Sequence, residues 1–138
     1  MSQTITTGVR PKRGPQLWRA GTVLVATAVA IVAWLIFVPV IGIDLAVGSG
    51  LTAQTIGLFQ FIIVSFLAGG AAWALLAICE RLFRRRGRLV WRITAWVVLA
   101  LSLLGPVSMA AFDGVLAALV VVHLAVGSVL ILGLSRRT

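Results

Sequence analysis

His123, the single histidine of this chain, lies inside a long apolar stretch from Ser102 to Gly127 and is the residue that most invites a chemical interpretation. Its imidazole could donate or accept a hydrogen bond, carry a proton or bind a metal ion. The same stretch contains Pro106, which has no N–H and therefore deprives the carbonyl of Ser102 of its usual helical partner. The question is whether His123 bonds a neighbour within the chain or something from outside it.

A turn predicted near Asp113 would fold this stretch into two antiparallel helices and bring Ser102 to the height of His123. From the helical rise, both residues would lie within about 5 Å of the bilayer midplane. Gly127, one turn from His123 on the same face, would let a neighbouring helix approach closely. The structural interpretation is a hydrogen bond between His123 and Ser102. The functional interpretation is a polar spot that binds a ligand, with catalysis or proton transfer as a third alternative.

Chemistry at His123 would need companions that the sequence does not place nearby. A metal site needs three or four ligands, and the acidic residues Asp44, Glu80 and Asp113 all fall near the ends of apolar segments. The sequence contains no nucleophile–base–acid set, phosphate-binding glycine loop or HExxH motif. We therefore predict a protein that is not an enzyme, with no catalytic residue, no metal site and no cofactor.

The elements that must position His123 are long apolar segments. Hydrophobic residues make up 61% of the chain and charged residues 11%, against about 25% charged in soluble domains. Each segment has the roughly 20 apolar residues needed to cross a bilayer, and lipid permits only helices or closed barrels. The fold class predicted is an all-α integral membrane bundle of four transmembrane helices. The predicted organisation is a flexible basic tail at 1–16, a transmembrane domain at 17–135 with spans at 17–40, 54–79, 90–112 and 114–135, and a basic end at 136–138.

The charges predict how this bundle is oriented. The net charge is +9, and the twelve Lys and Arg residues form three clusters, at 10–19, 81–92 and 136–137. Clusters at the boundaries of apolar segments follow the positive-inside rule, so both termini are predicted to be cytoplasmic. A nucleic-acid-binding face would need basic residues spread along one surface, so no nucleic-acid partner is expected.

The loop between the second and third spans carries most of the arginines. Glu80 and Arg84 are four residues apart with the acid first, the spacing and order of a helical ion pair. Gly87 lies where a C-cap glycine would end helix two. We expect the arginines of this loop to set the topology and to contact lipid headgroups; they are Arg81, Arg84, Arg85, Arg86, Arg88 and Arg92.

Small residues recur along the first two predicted helices at the spacing that lets helices pack closely. Helix two carries them on more than one face, which predicts a central position. Whether they all pack within the chain, or some against another subunit, stays open. The predicted packing residues are Thr22, Ala26 and Ala30 of helix one, and Ser65, Gly69, Gly70, Ala72 and Ala74 of helix two.

The run ALLAICERLFRRRGRLVWRITAWVVLALSLLGPVSMA, followed by LVVVHLAVGSVLILGLSRR, resembles the actinobacterial membrane family DUF6069. The end of helix two, the tryptophan that opens helix three, the SLLGP segment and the later histidine carry the resemblance. WLIFVPVIGIDLAV also fits the end of the first helix, so the likeness covers about residues 20–137. The resemblance implies four spans in a small bacterial protein, and hence a place in the bacterial cytoplasmic membrane. It implies no assigned activity, so it transfers no functional residues.

The leading function hypothesis is a non-enzymatic accessory or interaction subunit, packed against a larger membrane assembly such as a transporter or envelope-lipid machine. Its partners would be membrane lipid and either that complex or further copies of the chain. The alternative is a binding protein for an apolar ligand (a lipid, quinone or isoprenoid) contacted by His123 and Ser102. An ion or proton carrier is the weakest reading, because pore-lining polar residues are scarce.

Overall fold

Helices dominate the computed structural model, which describes residues 13–48, 51, 54–109 and 113–136. Two short strands, β1 (Ala46–Val47) and β2 (Gln54–Thr55), pair antiparallel between the first two helices. The helices are α1 (Arg13–Leu35), continued by a π-helical turn (Ile36–Val40), α2 (Leu58–Phe83), a 3₁₀ turn (Arg84–Arg86), α3 (Gly87–Ser102), α4 (Leu104–Met109) and α5 (Asp113–Ser135).

Among the described residues, three helical segments are long and apolar enough to cross a membrane: Gly14–Val40, Leu58–Ser108 and Gly114–Ser135. The described residues are thus mainly helical, as the sequence predicts, with two short strands and a few turn and coil residues between α1 and α2. The middle segment contains α2, α3 and α4, and it reverses direction after Phe83. Arg84 has a φ of 40°, a backbone conformation that L-residues rarely adopt, and α3 then runs back along α2.

The helices pack in a ring, because α1 and α3 each contact both α2 and α5. One core cluster lies between α1, α2 and α5, where Ala26 and Ala30 are completely buried. A second surrounds Trp91 and joins α2, α3 and α5. Every neighbouring pair in the ring meets at a glycine: Gly69 of α2 faces Val23 of α1, Gly133 of α5 faces Thr22 of α1, Gly127 of α5 faces Leu99 of α3, and Gly87 of α3 faces Cys79 of α2.

The segment between α1 and α2 folds over one end of the ring instead of lying apart from it. Leu45 and Val47 are 1% and 7% exposed and belong to the larger core cluster. Trp34 Nε1 donates a hydrogen bond to the carbonyl of Ile56 at 3.3 Å, which ties α1 to the end of this segment. The sequence analysis missed both strands, since the run is too short and too glycine-rich for an alternating pattern to stand out.

The observed boundaries correct several predictions. Residues 13–16 of the predicted tail are the first turn of α1, and residues 1–12 lie outside the described part. Helix two is displaced toward the C-terminus, because residues 54–55 form a strand. The third span is interrupted at Leu103, three residues before Pro106, whose missing N–H cannot continue the ladder.

Candidate functional site: an apolar cavity between three helices

A cavity of about 480 Å³ lies between α2, α3 and α5. Apolar side chains form nearly all of its wall, and its polar side chains, apart from the Trp91 indole, are Gln60, Ser65, Ser102 and His123. Val64 of α2 and Val98 of α3 also line it, yet they are 64% and 51% exposed. The cavity therefore opens sideways between α2 and α3, with α5 as its floor.

Tight packing closes one end of the cavity. Trp91 is completely buried, and its Nε1 donates a hydrogen bond to the carbonyl of Ala72 at 3.2 Å. This bond fixes the distance between α2 and α3. Leu99 of α3 lies against Gly127 so closely that a Cβ on the glycine would be 2.5 Å from the leucine Cδ1. Nearer the start of α2, Gln60 Oε1 accepts a hydrogen bond from the Gly57 N–H at 2.9 Å and caps the helix.

His123 is held by its own helix. Its Nδ1 lies 2.8 Å from the carbonyl oxygen of Leu119. A carbonyl oxygen can only accept, so Nδ1 carries the hydrogen, and in a neutral imidazole Nε2 then carries a lone pair. No described residue bonds Nε2, and His123 lines the cavity. The imidazole thus presents a hydrogen-bond acceptor of fixed tautomer.

The predicted hydrogen bond between Ser102 and His123 is wrong. Ser102 Oγ donates to the carbonyl of Leu99 on its own helix at 2.7 Å. Ser102 and His123 each bond a backbone carbonyl of their own helix, within one turn. These bonds therefore form whatever the distance between α3 and α5. The sequence analysis did bring the right residues to one place, since Ser102, His123 and Gly127 all line the cavity. Pro106 is buried in α4.

The predicted packing residues divide into two groups. Those of α1, together with Ser65 and Gly69, are buried in helix contacts, and Ala72 is half-buried beside Trp91. Gly70 and Ala74 are exposed, and nothing lies within 4 Å of the position of a Cβ on Gly70. They do not pack within this chain, because α1, α3 and α5 all meet the other faces of α2.

The predicted pair between Glu80 and Arg84 is also corrected. Glu80 accepts hydrogen bonds from Arg19 of α1 on both oxygens, at 2.9 and 2.8 Å, and it lies 3.6 Å from Arg88 of α3. Arg84 lies beyond the end of α2, so the helical spacing that the prediction needed is lost. The six predicted loop arginines, Arg81, Arg84, Arg85, Arg86, Arg88 and Arg92, are all exposed.

Gly87 has a different role from the expected C-cap. It is the first residue of α3 with an ordinary helical φ of −52°. A Cβ there would lie 2.6 Å from the carbonyl oxygen of Cys79, so only glycine lets α3 start directly against α2. The residue that takes the positive φ is Arg84.

A tryptophan and an arginine join the remaining helices at this arginine-rich end, which comprises Arg19, residues 80–92 and Arg136. Trp18 Nε1 donates to the carbonyl of Gly133 at 2.9 Å, and the guanidinium of Arg136 lies 5.9 Å from the Trp18 ring centre. These contacts link α1 to α5. Among the residues that the structure describes, no three His, Cys, Asp or Glu side chains lie close enough to hold a metal ion.

Comparison with known proteins gives one match. The model described as "Family of unknown function (DUF6069)" matches residues 12–138, which confirms the resemblance seen in the sequence. No curated protein and no solved structure matches the chain.

Proposed function

This chain belongs to the DUF6069 family, whose function is unknown, and we propose that it binds an apolar ligand within the membrane. The observation that carries the proposal is the cavity between α2, α3 and α5. Its volume of about 480 Å³ is within the range of roughly 300–1,000 Å³ for ligand sites, and an apolar wall with a few polar groups is their usual composition. The lateral opening would admit a ligand directly from the hydrocarbon.

We further propose four spans, with both termini in the cytoplasm of a bacterial cell. The α2 helix has 26 residues, about 39 Å, and α3 with α4 covers residues 87–109, about 34 Å. Both α2 and the α3–α4 segment are therefore long enough to cross a hydrocarbon core of about 30 Å. The support for the orientation is that the described arginine side chains gather at one end of the ring, the arrangement that the positive-inside rule associates with the cytoplasmic side.

Photo-crosslinking tests the ligand proposal. The purified protein in lipid nanodiscs would be irradiated with a long-chain lipid that carries a diazirine on its alkyl chain, and labelled peptides would be located by mass spectrometry. The cavity-lining turns of α2, α3 and α5 should be labelled more strongly than the rest of the lipid-facing surface. A label distribution that follows lipid exposure alone would refute the site.

Two substitutions on the same helix provide the matched control. Ala68 lines the cavity mouth and Ala74 is exposed away from it. A68F should reduce cavity labelling about tenfold by filling the mouth, whereas A74F should leave it unchanged. Equal effects of the two substitutions would contradict the proposal.

A second candidate is the accessory or interaction subunit. The observation that favours it is the exposed stripe of small residues on α2, Gly70, Ala74 and Ala77, which would let another helix approach. Purification from native membrane in mild detergent, with partners quantified by mass spectrometry, tests it. A stoichiometric partner should be present with wild type, absent with A74F and retained with A68F. A partner-free wild-type protein would rule it out.

A further inference from the structure

We infer that the ligand of the cavity is a single-chain lipid whose head carries a hydroxyl group, and that this hydroxyl donates a hydrogen bond to Nε2 of His123. This inference rests on the proposed function. It narrows the ligand class to alcohols of the fatty or isoprenoid type and excludes quinones, whose oxygens can only accept.

The first argument is the tautomer of the histidine. The carbonyl of Leu119 holds Nδ1 at 2.8 Å and leaves Nε2 as an acceptor. A ketone placed against Nε2 would bring two lone pairs together. An apolar chain there would exclude water and leave Nε2 without any partner, which is unfavourable. A hydroxyl satisfies the nitrogen.

The second argument is that two of the N–H and O–H groups in the cavity wall are already used. Trp91 Nε1 donates to Ala72, and Ser102 Oγ donates to Leu99. Neither hydrogen is free to be donated to a carbonyl ligand. A hydroxyl head needs no donor from these two side chains, because it supplies its own hydrogen to Nε2.

The third argument is the shape of the cavity. The volume of about 480 Å³ is in the lower half of the usual range for ligand sites. Among the described residues, the polar side chains of its lining are Gln60, Ser65, Ser102, His123 and the bonded Trp91 indole. A single chain can lie along the groove with its head at His123. A charged headgroup would find no counter-charge there, because none of the described residues that line the cavity is charged.

The test compares two probes that differ only in the donor: hexadecanol and its methyl ether, each with a diazirine on the alkyl chain. In nanodiscs the alcohol should label the cavity peptides of the wild-type protein about tenfold more than the ether, the loss that one unmade hydrogen bond produces. H123L should label equally with both probes. H123Q should bind the ether as well as the alcohol, because its amide N–H can donate to the ether oxygen. It supplies a second variant if H123L does not fold.

The outcomes separate the two proposals. If neither probe labels the cavity above the lipid-facing background, the proposed function itself fails. If both probes label the wild-type cavity equally, or if the ether labels it more, the cavity binds lipid but the hydroxyl inference is overturned. Retention of the tenfold preference in H123L would also overturn it, because the discriminating group would then lie elsewhere.

Discussion

Arg19 and Glu80, 61 residues apart in the chain, form an ion pair of 2.8 Å that fastens α1 to α2 at the arginine-rich end. Their side chains are only 21% and 28% exposed. Arg88 of α3 approaches the same carboxylate at 3.6 Å, so one acidic residue joins three of the four helices of the ring.

Replacing this carboxylate should therefore destabilise the bundle. E80Q is expected to lower the free energy of unfolding by about 1–2 kcal/mol, since a partly shielded guanidinium loses its charged partner. Unfolding in mixed micelles measures the change. R84Q is the matched control and should stay within about 0.5 kcal/mol, because Arg84 is exposed and lies beyond the end of α2. An equal loss in both variants would mean that general charge, not this pair, matters.

Gly87 should tolerate no side chain. G87A would place a methyl group 2.6 Å from the Cys79 carbonyl oxygen, backbone that cannot rotate away, so we expect a loss of about 2–4 kcal/mol or failure to fold. G70A has open space and should gain up to about 1 kcal/mol from helix propensity. Thermal unfolding of both variants in detergent makes the comparison, and a neutral G87A would show that α3 does not start against α2.

The Trp91 indole should stabilise the contact between α2 and α3. W91F removes the hydrogen bond to Ala72 at 3.2 Å and leaves a small void, so a loss of about 1–3 kcal/mol is expected. W96F is the control at an indole that is 45% exposed, and it should change stability by less than about 0.5 kcal/mol. Unfolding of W91F and W96F would be recorded under the same conditions. Coincident curves would argue against a stabilising contact of Trp91 between α2 and α3.

Ser102 should contribute little to stability. Its hydroxyl bonds its own helix, so S102A is expected to change the free energy of unfolding by less than about 0.5 kcal/mol. S102A should also keep the preference for the alcohol probe over the methyl ether, whereas H123L should lose that preference. A loss of probe preference in S102A as large as that in H123L would point to a bond between the two residues in the ligand-bound state.

Cysteine labelling tests the proposed topology. The background would be C79A, so that the introduced cysteine is the one thiol that can react; Cys79 is buried in the structure. D44C should react with an impermeant maleimide added outside spheroplasts, whereas R85C and R136C should react only after the membrane is opened. Both arginine positions are exposed in the structure, so a lack of reaction from outside would reflect the side of the membrane. Labelling of R85C from outside would refute the proposal of four spans with both termini in the cytoplasm.

Local features of the sequence were enough to predict the helices. Hydrophobic runs of about 20 residues are typical of membrane-spanning helices, and α5 was predicted to within a residue of its observed bounds, 113–135. The interruption of the third span at Leu103 was not predicted, although the sequence analysis had noted that Pro106 leaves the Ser102 carbonyl without its helical partner. The meeting of Ser102 and His123 at one cavity followed from simple antiparallel counting.

Partners that are distant in sequence could be decided only by the tertiary structure. Glu80 had Arg84 within a helical turn, yet its partner is Arg19, because the chain reverses at Arg84 and brings α1 beside α2. The same reversal explains why Gly87 is needed for close approach and not for a left-handed backbone. No local pattern contains such information.

The cavity shows the same division. The sequence by itself predicted that Ser102 and His123 would lie at similar depth in an apolar bundle, with Gly127 one turn from His123. Only the tertiary structure decided that α2 and α3 stand apart there, and that His123 turns Nδ1 to Leu119 and not to Ser102. The physical reason is that hydrophobicity acts residue by residue, whereas a cavity depends on how four helices fill space together.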